Sequence, residues 1–175
     1  MRLASLVRAV LAGVAGLLLC GCILSPEPLL DAASAVTPLS AGTYQAMARQ
    51  DDGTFAPEED NVQIELNGNV YTMIEGEDRL DFTLHEAPGG LLIGMTTDKD
   101  TSETGYAVLR LDGKEIVFWA AVCEVAEDGG IVEKYPGIET DGLSCTIPDR
   151  DTLVAFLSDY AAVAQADFRY VPLGQ

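Results

Sequence analysis

The chain has 175 residues, of which 28 are acidic and 10 basic, for a formal charge of −18 at neutral pH. That balance excludes a nucleic-acid-binding role, because phosphate contacts need clustered Lys and Arg, and it opposes adhesion to anionic headgroups. A hydrophobic fraction of 48% predicts one folded core rather than a disordered chain, with the acids as a solvated, self-repelling surface.

Arg2 and Arg8 flank the start of an uncharged apolar run from Val10 to Leu19. A membrane-spanning helix takes roughly 20 such residues. The run is too short for that and fits the apolar core of a secretory signal. It leads into Leu17-Leu18-Leu19-Cys20-Gly21-Cys22. Cys22, with Gly21 before it and Leu19 three residues before it, resembles the lipobox cysteine of bacterial lipoproteins. Cys20 is the poorer match, because Leu19 stands directly before it. The resemblance covers residues 1–22 only.

The lipoprotein resemblance implies that residues 1–21 are a signal peptide and that Cys22 carries a thioether-linked diacylglycerol and an amide-linked acyl chain. One acyl chain holds a protein marginally; several, at about 0.8 kcal/mol per buried methylene, hold it for good. Position two of the mature chain is Ile23 rather than the Asp that retains enterobacterial lipoproteins in the inner membrane. The implied address is the outer membrane, facing the periplasm. The implied partners are the lipid bilayer, through Cys22, and an envelope protein. Removing the signal takes away Arg2 and Arg8 and no acid, so the mature chain is more acidic still.

Residues 22–40 read as a lipidated tether. Pro26, Pro28 and Pro38 lie among Ala and Ser and discourage long regular structure. Extended, such a segment reaches about 60 Å at roughly 3.3 Å per residue. One helical turn is expected within residues 29–36, with Pro28 near its start.

Residues 41–175 read as a single β-rich domain. Val62, Ile64 and Leu66 alternate with polar residues up to Asn67-Gly68, which predicts a type I′ hairpin into NVYTMI. Leu80, Phe82 and Leu84 alternate likewise, Pro88-Gly89-Gly90 turns the chain into LLIGMTT, and YAVLRL reaches a second hairpin at Asp112-Gly113. EIVFWAAVCEVA is apolar on both faces from Ile116 to Val122 and predicts a central, doubly covered strand, closed by Asp128-Gly129-Gly130 onto IVEKY. Residues 136–148 form a loop. Leu153, Phe156, Leu157, Tyr160, Ala161 and Ala164 then repeat at helical spacing behind Asp149 and Asp151, which supply capping oxygens. ADFRYVPL adds a last strand. The fold class is mainly β (α+β): an antiparallel meander of about seven or eight strands, sandwich or up-and-down barrel, with one C-terminal amphipathic helix.

Once Cys20 leaves with the signal and Cys22 is acylated, Cys123 and Cys145 remain, 22 positions apart. In a compartment that permits disulfides they are expected to pair; two buried thiols or half a metal site are the alternatives. No Cys-x-x-Cys occurs and His85 is the sole histidine, so no zinc or other metal site is expected. Asp98, Asp100 and Ser102 begin like an EF-hand loop, but Glu103 stands where Gly is required and Leu109 where Glu is required. No catalytic triad, phosphate loop or cofactor motif is present. Phe82, Phe118 and Trp119 are candidate lining for a barrel cavity. The expected function is a non-enzymatic envelope interaction or structural protein; the alternative is a lipocalin-like carrier holding an apolar ligand inside the barrel.

Overall fold

The computed structural model describes residues 23–174. Its strands in chain order are β1 (Ile23–Ser25), β2 (Ala35–Val36), β3 (Gly42–Arg49), β4 (Phe55–Asn67), β5 (Val70–Glu75), β6 (Asp78–Ala87), β7 (Leu91–Thr97), β8 (Thr104–Asp112), β9 (Glu115–Trp119), β10 (Glu139–Thr140), β11 (Cys145–Thr146) and β12 (Phe168–Pro172). Among the described residues the α-helices are α1 (Cys123–Asp128) and α2 (Arg150–Val163).

From β3 to β9 each strand pairs antiparallel with the next, and β12 enters between β9 and β3. Among the described residues, eight strands thereby close into an antiparallel barrel, which decides between the two predicted architectures. Closure leaves the barrel without free edges. The period-two alternation works as expected: Val62, Ile64, Met73, Phe82, Leu84, Ile116 and Phe118 all point inward. Both predicted hairpins form, with the turn centred one residue later. Asn67 pairs with Val70 and Asp112 with Glu115, so Gly68 and Gly113 occupy the first central positions, at φ 64° and 63°. Glycine there is the preference of a type II′ turn rather than the predicted type I′.

A second apolar layer lies outside the barrel. Ile93, Val108, Val117 and Trp119 face outward from β7, β8 and β9 and pack against Leu153, Phe156, Leu157 and Tyr160 of α2. The Asp149 carboxylate caps α2 by accepting from the Thr152 N–H at 2.9 Å and from its hydroxyl at 2.8 Å.

The predicted strand through EIVFWAAVCEVA stops at Trp119. Its double coverage holds for residues 116–119, between the barrel interior and the α2 layer. Beyond them the Ala120 N–H donates to the Asp167 carboxylate at 2.9 Å instead of to a strand, and Ala121 turns the chain at φ 54°. Cys123–Asp128 is then helical, and Val132–Lys134 forms a short 3-10 turn where a strand was expected. Helix formers at Glu124, Ala126 and Glu127 lose no sheet partner by this exchange.

Residues 23–40 are not a free tether. Strand β1 pairs antiparallel with β8 and parallel with β11, and β2 pairs with β6. Ile23, Leu30 and Leu39 are buried. The expected helical turn is a single 3-10 turn, Ala32–Ser34, capped by Asp31. The prolines prevent long regular structure, but apolar residues between them still have barrel surface to cover.

Candidate functional site

Two regions hold the features that the sequence singles out: the barrel interior, and the patch where the N-terminal segment meets the disulfide. The lipobox residues, Cys22 included, lie outside the described residues.

Phe82 and Phe118 face the barrel interior and line a pocket of about 30 Å³ together with Met73, Leu80, Met95 and Leu109. Trp119 does not join them. It follows Phe118 in the strand and so points to the opposite face, where its indole N–H donates to the Ala164 carbonyl at 3.1 Å and the Arg110 guanidinium sits 5.7 Å from the ring centre. The pocket has room for little more than one water, whereas sites for drug-sized ligands run from about 300 Å³ upward. Tyr44, Tyr71, Phe82, Phe118 and Tyr170 occupy much of the remaining interior, and a second pocket of about 60 Å³ is lined by Leu39, Tyr44, Leu111 and Ile116.

Leu39 is buried at the far end of the barrel, held by Tyr71. The Tyr71 hydroxyl accepts from the Leu39 N–H at 2.9 Å and donates to the Leu39 carbonyl at 3.1 Å. Tyr170 is different. Its ring stands edge-on to Phe118 with centres 6.2 Å apart, and its hydroxyl is a buried side-chain oxygen without a hydrogen-bond partner among the described residues. Burial, with Glu75 and Asp167 in reach, pushes its pKa well up, so the phenol stays neutral.

Near the pocket end, the Asp167 carboxylate accepts from the Ala120 N–H and lies 3.7 Å from the Arg49 guanidinium. Arg49 also donates from Nε to the Ala166 carbonyl at 2.9 Å. Burial raises the Asp167 pKa against the pull of Ala120 and Arg49. These groups join β3, β9 and β12, so the cluster is spent on holding the barrel end together. Asp52, Asp98, Asp141 and Asp149 are held below the usual carboxylate range by hydrogen bonds from Thr54, from Thr101 and Asp100, from Ser144 and Leu143, and from Thr152, respectively. In the loop that resembles an EF-hand start, Asp98 thus accepts from the N–H groups of Asp100 and Thr101 at 2.8 and 2.7 Å. Among the described residues no group of three or more His, Cys, Asp or Glu is placed to hold a metal ion.

His85 lies on the outward face of β6, as its alternation predicts, yet it is buried. Strand β2 covers it: Ala35 pairs with His85, and Ser34 Oγ and Thr83 Oγ1 each lie 3.0 Å from a ring nitrogen. Burial, with Arg150 adding to it and Asp31 opposing, lowers its pKa below the ordinary 6.5. As pH falls, the unfolded chain binds this proton first. The stabilisation is therefore complete above 6.5 and is lost as pH drops from there through the folded-state value. Urea midpoints are expected to fall between about pH 7 and pH 5, and His85→Gln is expected to flatten that step. Identical slopes for the two proteins would exclude the assignment.

The disulfide between Cys123 and Cys145 is present, with the Cα atoms 5.3 Å apart. It joins the start of α1 to β11, and both cysteines are fully buried. Strand β11 is in turn the parallel partner of β1: Ile23 pairs with Cys145 on one side and with Tyr106 on the other. The Ile147 N–H donates to the Leu24 carbonyl at 2.8 Å. The Tyr106 hydroxyl lies 2.7 Å from Ser25 Oγ and accepts from the Leu29 N–H at 2.9 Å. Sequence reasoning found the disulfide and missed what it holds, because Tyr106 and Ile147 carry no motif that marks them as partners of the N-terminal segment.

Among the described residues no helix is long and apolar enough to cross a membrane. No protein-family model, curated protein or solved structure matches the chain.

Proposed function

We propose that this chain is a lipid-anchored protein of the bacterial envelope, held by acylated Cys22 at the outer membrane and facing the periplasm. There its barrel serves as a non-enzymatic interaction or structural module. The observation that carries the reading is the Leu19-Cys20-Gly21-Cys22 segment behind a short apolar run and two arginines. The disulfide suits an oxidising compartment.

Metabolic labelling with an alkyne fatty acid tests the anchor. The wild-type chain is expected to take up label and to fractionate with membranes, and Cys22→Ala is expected to lose both properties. Equal labelling of the two chains would overturn the reading.

A lipocalin-like carrier is the second reading. The closed barrel and the unpartnered Tyr170 hydroxyl favour it, the latter as a hydrogen-bonding point for a ligand's polar end. It ranks second because pockets of about 30 and 60 Å³ must first enlarge, by movement of Met73 at the smaller one.

A further inference from the structure

Lipoprotein domains on long tethers stand off from the bilayer by the length of the tether. In this chain the slack is absent. Covalent geometry puts the Cα of Cys22 about 3.8 Å from that of Ile23. Ile23 is itself fully buried and paired on both sides, with Tyr106 and Cys145. An acyl-glycerol group on Cys22 therefore draws this patch of the barrel wall to the membrane surface.

The nearest exposed apolar side chain along that register is Leu143. It stands two residues before Cys145, the partner of Ile23. Two extended residues span about 7 Å and neighbouring strands lie about 4.8 Å apart, so the Leu143 Cα falls within about 12 Å of that of Ile23. Leu143 is 73% exposed, the highest value among the exposed large hydrophobic residues described. Its turn is ordered rather than slack. The Asp141 carboxylate accepts from the N–H groups of Leu143 and Ser144 at 3.0 and 2.7 Å, and the Asp141 N–H donates to the Ser144 carbonyl at 3.2 Å. Gly142 supplies the positive φ of 86° that the turn needs, and Cys145 bolts its far end to α1.

We infer that the β10–β11 turn carrying Leu143 is the face by which the anchored barrel rests on the lipid surface. This rests on the reading of Cys22 as the acylated residue. The leucine enters the headgroup layer. Glu139 and Asp141 beside it are exposed and stay in water, which selects a zwitterionic surface over an anionic one. The opposite wall, four strands around the barrel from β8, is β4 with its exposed Leu66, and it faces away from the membrane.

The test uses the full mature chain with its native acyl anchor, isotope-labelled, in phosphatidylcholine nanodiscs. A fraction of the lipid bears a nitroxide near the carbonyl end of its acyl chain. Paramagnetic broadening of the amides of residues 141–144 is expected to exceed that of residues 64–67 several-fold. Leu143→Ser is expected to keep the acyl label on Cys22 while losing part of that excess, the part that the anchor alone does not hold. Equal broadening at the two sites, or an unchanged excess in Leu143→Ser, overturns this inference alone. Absence of acyl label on Cys22 overturns the anchor and this inference with it.

Discussion

Replacing both Cys123 and Cys145 by alanine is expected to lower the unfolding free energy by about 3 kcal/mol, the chain-entropy value for closing a loop of this length. The bridge spans a sequence separation of 22, and both cysteines belong to the buried cluster that includes Ile23, Ala126, Ile131 and Ile147. The loss is expected to be uneven across the molecule. Strand β11 holds β1, so the Ile147 amide, which donates to the Leu24 carbonyl, should exchange with solvent much faster in the variant. Amides in the ladders from β3 to β6 have no part in that patch and should keep their protection relative to global unfolding. Urea denaturation followed by hydrogen exchange makes both measurements. An unchanged midpoint, or equal acceleration everywhere, would show that the disulfide does not clamp the N-terminal strand.

Phe156→Ala is expected to cost about 3–5 kcal/mol, the range for emptying a fully buried aromatic site. Phe156 is fully buried in α2, between the outer barrel face and Tyr135, whose ring stands edge-on with centres 5.7 Å apart. A helix of 14 residues is marginal by itself in water, so α2 depends on this docked face. Val163→Ala near the end of the same helix, at a side chain 59% exposed, should stay within about 0.5 kcal/mol of the wild type. Thermal or urea unfolding of the two variants decides the matter. Similar small losses for both would mean that the outer layer contributes little and that the barrel stands without it.

The α2 periodicity is the clearest instance of structure legible in the chain. Leu153, Phe156, Leu157 and Tyr160 announce a buried stripe at helical spacing, and the structure buries those four. Strand alternation was equally legible from Val62 through Phe118, because each residue's face depends only on its parity within the strand. The same parity rule places Phe118 and Trp119 on opposite faces, so grouping them as one cavity lining overlooked a property already visible in their adjacency. The pairing of Cys123 with Cys145 followed from compartment and elimination. The helix that begins at Cys123 did not, because what ends β9 is the carboxylate of Asp167, 47 positions further on.

The N-terminal segment shows the limit of such reading most plainly. Pro26, Pro28 and Pro38 correctly signalled the absence of long helix or strand, a property of the local backbone. Burial is a different property. Leu30 and Leu39 are covered because the barrel leaves apolar surface beside them and because the hydroxyls of Tyr106 and Tyr71 satisfy the N–H groups of Leu29 and Leu39. Hairpins, strand faces and the amphipathic helix are written in neighbouring residues, since they depend on backbone dihedrals and short-range spacing. The closing of the barrel by β12, its nearly filled interior, the burial of His85 beneath β2 and the docking of Ile23 between β8 and β11 arise only when distant segments share one surface. Which side chains then meet is set by close packing and by the pairing of buried polar groups, and neither has a period along the chain.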